Sequence, residues 1–262
     1  MVLRTCSRFN LHLPLLLLTF GLSSKALGDE LLITDYRTFP GELWQSNTAG
    51  SESRLIRREA TANPAYPRAI MKLADVTVGP DGQVYYCSGL DGCVLALLDR
   101  RNEVLSFEYP GQIRDIDSGN EPHTVYFSVV PTPQNNEALA DGKIYRRDIW
   151  AGAPVEVATI RQADVGNNWW GTFTIVDGTP YIATLENPSR LFKITSAGAE
   201  PVFLNNHTKI VGLTAAPDGT FLYTDGTNKV YRTSDFNTAE TAYDSARPVS
   251  DVAIDRSNSA VQ

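Results

Sequence analysis

Short apolar runs recur along this chain, and each ends in a small residue that usually carries a hydroxyl group. Runs of this kind occupy residues 31–34, 84–87, 125–128, 181–184 and 221–224. They are rich in β-branched and aromatic residues, and turn residues separate several of them from their neighbours, a pattern that predicts β-strands.

Three further sets of β-rich runs accompany the first set, so the repeating unit contains four strands. One set precedes it, at residues 75–78, 115–118, 171–174, 212–215 and 251–254. Another follows it, at residues 43–45, 94–96, 144–146, 191–193 and 230–232. Fourth runs lie at residues 53–59, 104–109, 155–160 and 201–204. Asp-Gly pairs at residues 81–82, 177–178 and 218–219 predict hairpin turns between first and second strands.

The spacing of the units predicts an all-β fold of the β-propeller type. Units begin at residues 75, 115, 171, 212 and 251, with spacings of 40, 56, 41 and 39, close to the period of propeller blades. Because one four-stranded sheet cannot bury both of its faces, copies must pack around an axis. We count five blades, with residues 31–59 completing the blade that begins at residue 251 and so closing the ring. Residues 259–262 would take the same second-strand position in this blade as residues 31–34, so six blades stay possible.

The N-terminal residues have the pattern of a cleaved signal peptide. Arg4 and Arg8 precede an apolar run at residues 11–22, and small residues follow at positions 26–28. We therefore expect a signal peptide at 1–28, one propeller domain at 29–262, a secreted or periplasmic protein and no membrane insertion after cleavage. Without the three basic residues of the signal peptide, 20 basic residues face 30 acidic ones, a net charge of about −10. This charge argues against a nucleic-acid partner.

Two stretches resemble a blade of the gluconolactonase-like and NHL-type β-propellers. They are "GLTAAPDGTFLYTDGTNKVYR" at 212–232 and "DVTVGPDGQVYYCSGLDGCVLAL" at 75–97. The resemblance implies a propeller in which lactonase-like members hold a divalent cation, often calcium, at the top of the central channel. Val211 stands where that family typically has a metal-binding asparagine before Gly-Leu, and a hydrocarbon cannot ligate a hard cation. The metal-ligand pattern of the family is therefore not preserved.

Three aspartates occupy equivalent positions at the start of first strands. They are Asp75, Asp115 and Asp251, and Gly171 and Gly212 fill this position in the other two units. The loops that lead into first strands and those that join second to third strands emerge on the same side of an antiparallel meander, which we call the top face. The three carboxylates could hold a divalent cation such as calcium or act as acid and base with raised pKa values. Alternatively, each caps its own turn by accepting backbone N–H bonds.

The sequence "GNNWWG" leads into the third unit at the top face. Asn167, Asn168, Trp169 and Trp170 combine amides with flat aromatic rings, which suits a sugar or another flat ligand. The alternative is that one or both tryptophans belong to the core. Arg114, directly before Asp115, and the insertion at residues 129–142 are further candidates for a binding role at this face.

Two functional classes follow from these residues. The first is a secreted propeller that binds a small molecule, glycan or protein partner through the top-face mouth of its central channel. The second is a metal-dependent hydrolase of lactonase or esterase type with altered ligands.

Cys87 and Cys93 flank a five-residue hairpin loop, "SGLDG". Paired residues at a hairpin base can lie within disulfide reach, and an exported protein meets oxidising conditions. We therefore predict a Cys87–Cys93 disulfide, with two buried thiols as the alternative.

Overall fold

The structure is a computed structural model. It describes residues 30–35, 42–47, 53–58, 73–88, 93–98, 102–109, 113–129, 141–150, 152–165, 170–202, 209–245, 248–249 and 251–254. The described residues form strands and turns, and none of them lies in an α-helix.

The described strands form four-stranded antiparallel sheets, as the repeats predict. Sheet I contains β4 (Leu73–Val78), β5 (Val84–Ser88), β6 (Cys93–Leu98) and β7 (Asn102–Glu108). Sheet II contains β8 (Ile113–Asp117), β9 (Thr124–Val129), β10 (Gly142–Asp148) and β11 (Val155–Ile160). Sheet III contains β12 (Trp170–Val176), β13 (Thr179–Thr184), β14 (Leu191–Thr195) and β15 (Gly198–Val202).

Two further sheets complete the described fold. Sheet IV contains β16 (Gly212–Ala215), β17 (Phe221–Thr224), β18 (Lys229–Thr233) and β19 (Glu240–Asp244). Sheet V contains β20 (Asp251–Ile254), β1 (Glu30–Asp35), β2 (Glu42–Asn47) and β3 (Ser53–Arg58). The sequence did not predict β19, and β15 begins three residues before the predicted run. Both are outer strands of low apolar content, so a hydrophobic pattern does not mark their positions.

The turn between β12 and β13 shows how an Asp-Gly pair sets the register of a sheet. Val176 pairs directly with Thr179, so the hairpin loop contains only Asp177 and Gly178. Both have positive φ angles, 48° and 75°, as a type I′ turn requires. The predicted turn is confirmed here.

The core consists of apolar layers between successive sheets, because the inner strands are buried on both faces. In β9, Val125 and Phe127 pack toward sheet I, whereas Tyr126 packs toward sheet III. Alternate side chains of a strand point to opposite faces, and here both faces meet an apolar neighbour. This double burial explains why the sequence shows continuous apolar runs rather than an alternation of apolar and polar residues.

The first strands of the sheets contact one another at the centre of the fold. Strand β4 contacts β8, β8 contacts β12, β12 contacts β16, β16 contacts β20, and β20 contacts β4. Strand β20 also pairs with β1 in an antiparallel register that matches Leu31 with Ile254. The N-terminal strands of sheet V are therefore joined to a strand from the other end of the described chain.

We predict that Ile254→Ala destabilises the whole fold. Ile254 is 2% exposed and packs in the apolar layer between sheets IV and V. Its truncation should lower the free energy of unfolding by about 2–5 kcal/mol, measured by urea denaturation. Val155→Ala is the control, because Val155 is 60% exposed and its truncation should cost less than about 0.5 kcal/mol. Equal effects of the two substitutions would contradict the burial of β20.

Candidate functional site

The structure brings Asp75, Asp115 and Asp251 together at the centre of the fold. They start or nearly start β4, β8 and β20, and their side chains are only 3%, 3% and 4% exposed. The Asp75 carboxyl group interacts electrostatically and by hydrogen bonding with those of both Asp115 and Asp251. The predicted convergence of the three carboxyl groups is therefore present, but the groups are buried rather than open to solvent.

Each of the three carboxyl groups accepts a main-chain hydrogen bond from the first strand of a neighbouring sheet. The bonds run from Val76 N–H to Asp251 Oδ2 at 3.3 Å, from Ile116 N–H to Asp75 Oδ2 at 2.6 Å and from Phe173 N–H to Asp115 Oδ2. A first strand has a sheet partner on one side only, so its other edge presents main-chain groups that need partners. The aspartates supply these partners across the boundaries between sheets.

A second layer of such bonds lies two residues further along the first strands. Its acceptors are Thr77, Asp117 and Thr174. The bonds run from Ser118 N–H to Thr77 Oγ1 at 3.1 Å, from Ile175 N–H to Asp117 Oδ2 at 2.7 Å and from Ala215 N–H to Thr174 Oγ1 at 3.0 Å. Residues two apart on a strand share a face, which is why the second layer repeats the geometry of the first.

Sequence reasoning missed this second layer, although a signal for it was present. A hydroxyl or carboxyl residue stands two positions after each of the first-layer positions in β4 and β8, in "DVT" and "DID". The expectation that each aspartate caps its own turn is only partly right. Asp75 Oδ1 accepts the N–H of the adjacent Val76 at 2.7 Å, but the bonds to Ile116 and Phe173 cross to another sheet.

The hydrogen bonds correct the alignment of the third unit by one residue. Phe173 takes the place of Ile116 in the pattern, so Thr172, and not Gly171, is equivalent to Asp115. The register of β12 is irregular between Trp170 and Thr172, as that of β8 is between Ile113 and Asp115. Because both strands have this irregularity at the same place, Gly171 corresponds to Arg114, the residue directly before Asp115.

Burial raises the pKa values of the three carboxyl groups. The pKa of Asp115 rises to about 7 and that of Asp251 to about 6. The pKa of Asp75 rises well above 3.8, first because of burial and then because of the charges of Asp115 and Asp251. The neutral form of Asp75 is therefore favoured relative to that of an exposed aspartate.

The described residues contain no group of three or more histidine, cysteine, aspartate or glutamate side chains with the arrangement of a metal site. Oxygens of the three aspartates accept hydrogen bonds from main-chain N–H groups. These N–H groups are hydrogen-bond donors and have no lone pair to offer a cation. A calcium site at Asp75, Asp115 and Asp251 thus stays a hypothesis from the sequence.

The other predicted ligand-binding residues lie mainly outside the described part of the chain. This applies to Asn167, Asn168 and Trp169. The main chain of Trp170 is described and begins β12, where it pairs with Thr184. Arg114 is half-buried at the bulge of β8, directly before Asp115. These residues therefore stay candidates for ligand contacts.

The structure does not support the predicted Cys87–Cys93 disulfide. Cys87 is a free, buried thiol, and its pKa is raised well above 9.0 by burial and then by the charges of Asp115 and Asp251. Cys87 pairs with Val94, whereas Cys93 pairs with Ser88. Because neighbouring positions on a strand belong to opposite faces of the sheet, the two cysteines occupy positions on different faces.

Comparison with known proteins supports the fold and leaves the family open. No protein-family model and no curated protein matches the chain. A solved structure of a protein of unknown function from Bacteroides thetaiotaomicron is similar at a TM-score of 0.51 and 12% identity, covering 82% of this chain and 55% of that one. Virginiamycin B lyase from Staphylococcus aureus is similar at a TM-score of 0.44 and 13% identity, covering 81% of this chain and 69% of the lyase.

The fold is of the β-propeller type. The four-stranded antiparallel sheets, the central first strands and the likeness to the Bacteroides structure all agree with this class. This chain spans only about half of the length of that protein. Among the residues that the structure describes, there is no helix long and apolar enough to cross a membrane.

We predict that the free energy of unfolding falls as the pH rises from 5 to 8. The folded protein holds the protons of the aspartate cluster more tightly than the unfolded chain, where the pKa is near 3.8. The stabilisation is therefore complete below pH 3.8 and is lost as the pH rises through about 6 and 7. The loss between pH 5 and pH 8 should exceed about 1 kcal/mol, measured by urea denaturation.

Asp115→Asn tests the source of this pH dependence. Asparagine keeps an oxygen for the Phe173 N–H but does not ionise, so the difference between pH 5 and pH 8 should shrink. Asp235→Asn is the control, because Asp235 is exposed and its pKa is lowered by main-chain hydrogen bonds from Thr238 and Asn237. An unchanged pH dependence in Asp115→Asn would contradict the assignment.

We also predict two free thiols in a chain that begins at Asp29. Thiol titration after unfolding without reductant should count both Cys87 and Cys93, and the thiol of Cys87 should not react in the folded protein because it is buried. A titration that finds no thiols in the unfolded, unreduced monomer would restore the disulfide.

Proposed function

We propose that this protein is a secreted, closed five-bladed β-propeller that binds a small molecule, glycan or protein partner through the top-face mouth of its central channel. Its repeat pattern resembles that of the gluconolactonase-like and NHL-type propellers. Export rests on the N-terminal pattern at residues 1–28.

Closure of the ring is supported by the contacts of the first strands. Each of β4, β8, β12, β16 and β20 contacts two of the others, and the order of contacts returns to its start. Pairing between β20 and β1 adds strands from the two ends of the described chain to one blade. A five-membered ring needs no further blade to satisfy these contacts.

The proposed binding function is supported mainly by the hydrogen bonds that the aspartates accept from main-chain N–H groups. Asp75, Asp115 and Asp251 fix the starts of their strands relative to neighbouring sheets. A rigid ring of strands suits the presentation of loops to a ligand. The segment with Asn167, Asn168 and Trp169 leads into β12 at this face, and its amides and indole ring suit hydroxyl groups and flat apolar surfaces of a ligand.

The hydrolase alternative is favoured by one observation, the pKa of about 7 for Asp115. A carboxyl group that titrates near neutral pH can act as a general acid or base. The reaction would also need a cation to polarise the carbonyl group and access of substrate to a side chain that is only 3% exposed. These requirements make the binding function the better supported one.

Calorimetry with a glycan panel and with calcium distinguishes the two functions. Under the binding function, Trp169→Ala should weaken binding of the glycan that binds best by about tenfold or more, because loss of a central tryptophan contact costs about 2 kcal/mol. Trp150→Ala is the matched control, since Trp150 is 48% exposed in the turn between β10 and β11, which emerges at the opposite face. Calcium should give no saturable heat.

The opposite results would support the hydrolase. These are saturable calcium binding that Asp75→Asn, Asp115→Asn and Asp251→Asn each weaken, together with hydrolysis of a lactone. If Trp169→Ala leaves the affinity for every glycan unchanged, binding at the top face is contradicted.

A further inference from the structure

A second concave surface lies between sheets II and III. It has a volume of about 570 Å³, within the range of small-molecule sites. Strand β11 forms one wall, and the turns from β12 to β13 and from β14 to β15 form the other. We call this surface the outer groove. These turns emerge at the opposite end of the strands from the candidate top-face site.

Two cations from different sheets line the outer groove without a charged partner among the described residues. Arg161 follows β11 of sheet II, and Lys193 lies in β14 of sheet III. Several other described cations form ion pairs, as Lys143 does with Glu156 at 2.6 Å and Arg232 does with Asp218. Two cations against one carboxylate, Asp164, leave the lining with one excess positive charge, which favours a negatively charged group.

A carboxylate in the same groove restricts the kind of anion. Asp164 also lines the groove and makes no hydrogen bond through its side chain with a described residue. It lies beside Gly198, where a built Cβ would be 3.5 Å from Asp164 Oδ2. Asp164 is exposed. A simple anion would be repelled by Asp164, whereas a hydroxyl group of a ligand can donate a hydrogen bond to it.

Hydroxyl groups make up much of the remaining polar lining. Thr159, Thr179 and Ser196 border the groove, and Val157, which is 40% exposed, adds an apolar surface. Hydroxyl side chains can both donate and accept hydrogen bonds, so they match a ligand with several hydroxyl groups. The groove thus combines cations for one acidic group with donors and acceptors for a polyhydroxylated ring.

We infer that the outer groove binds an acidic sugar, with Arg161 and Lys193 holding its negatively charged group and Asp164 accepting hydrogen bonds from its hydroxyl groups. The acidic group can be a carboxylate or a sulfate ester. The shared chemistry is one negative charge on a hydroxylated ring. This site is independent of the proposed top-face function.

Calorimetry or NMR titration with four probes tests the inference. The probes are methyl glucuronide, methyl glucoside 6-sulfate, methyl glucoside and inorganic sulfate. We expect one or both acidic sugars to bind at least about tenfold more tightly than the neutral sugar and than inorganic sulfate. Preference between the two acidic sugars identifies the acidic group. Equal binding of the neutral sugar, or equal binding of inorganic sulfate, would overturn the inference.

Variants assign the binding to the groove. Arg161→Ala and Lys193→Ala should each weaken binding of the preferred acidic sugar by about tenfold, since a hydrogen bond to a charged group contributes about 1.5–3 kcal/mol. Lys143→Ala is the control, because Lys143 is a cation of sheet II that pairs with Glu156 and does not line the groove. Trp169→Ala should leave this binding unchanged, which separates it from binding at the top face. Equal losses in Lys143→Ala, or a loss only in Trp169→Ala, would overturn the assignment.

Asp164→Asn gives a result of opposite sign for two probes. Loss of the negative charge should strengthen the binding of inorganic sulfate, because repulsion is removed, and weaken that of the acidic sugar, because the strong acceptor for its hydroxyl groups is lost. If the affinities for both probes change in the same direction, Asp164 does not accept hydrogen bonds from the hydroxyl groups of the sugar.

Discussion

The fold depends on hydrogen bonds between the edge of a first strand that has no strand partner and side chains of a neighbouring sheet. The bond from Ile116 N–H to Asp75 Oδ2, at 2.6 Å, is the clearest example. Without it, a main-chain donor would be buried at the centre of the protein with no partner, a situation that costs about 1–3 kcal/mol. The same bonds fix the distance and rotation between sheets, because a carboxylate accepts from its own neighbour and from another strand at once. Apolar packing alone would allow the sheets to slide against each other.

Apolar layers between the sheets supply the bulk of the stabilisation around this polar centre. Phe127 and Phe173 are almost fully buried, and burial of such a side chain is worth about 1.5–3 kcal/mol. The centre and the layers act together, since the layers exclude water from the aspartates and so raise their pKa values. A polar group that is fully hydrogen-bonded can be kept in this setting, whereas one without a partner could not.

The sequence predicted the strands well where burial on both faces leaves a continuous apolar run, as in β5, β9 and β17. It was weaker for outer strands such as β15 and β19, where composition is mixed and turns decide the boundaries. It identified Asp75, Asp115 and Asp251 as a group because they repeat at one position of the unit. It could not show that these residues bond across sheets, since that depends on which strands become neighbours. The alignment placed Gly171 one residue too early, because the sequence does not show which residues bond between sheets. The length of the loop between Cys87 and Cys93 likewise does not reveal on which face of a sheet each residue lies.

The pairing of β1 with β20 makes sheet V dependent on two segments about 220 residues apart. Bringing such distant segments together costs more chain entropy than closing a hairpin, and contacts of long sequence separation slow folding. During synthesis, β1, β2 and β3 emerge first and must wait for their innermost partner until the other sheets have been made. The early strands therefore expose apolar surface for most of the synthesis time. This delay would keep the chain accessible to chaperones until the last sheet forms.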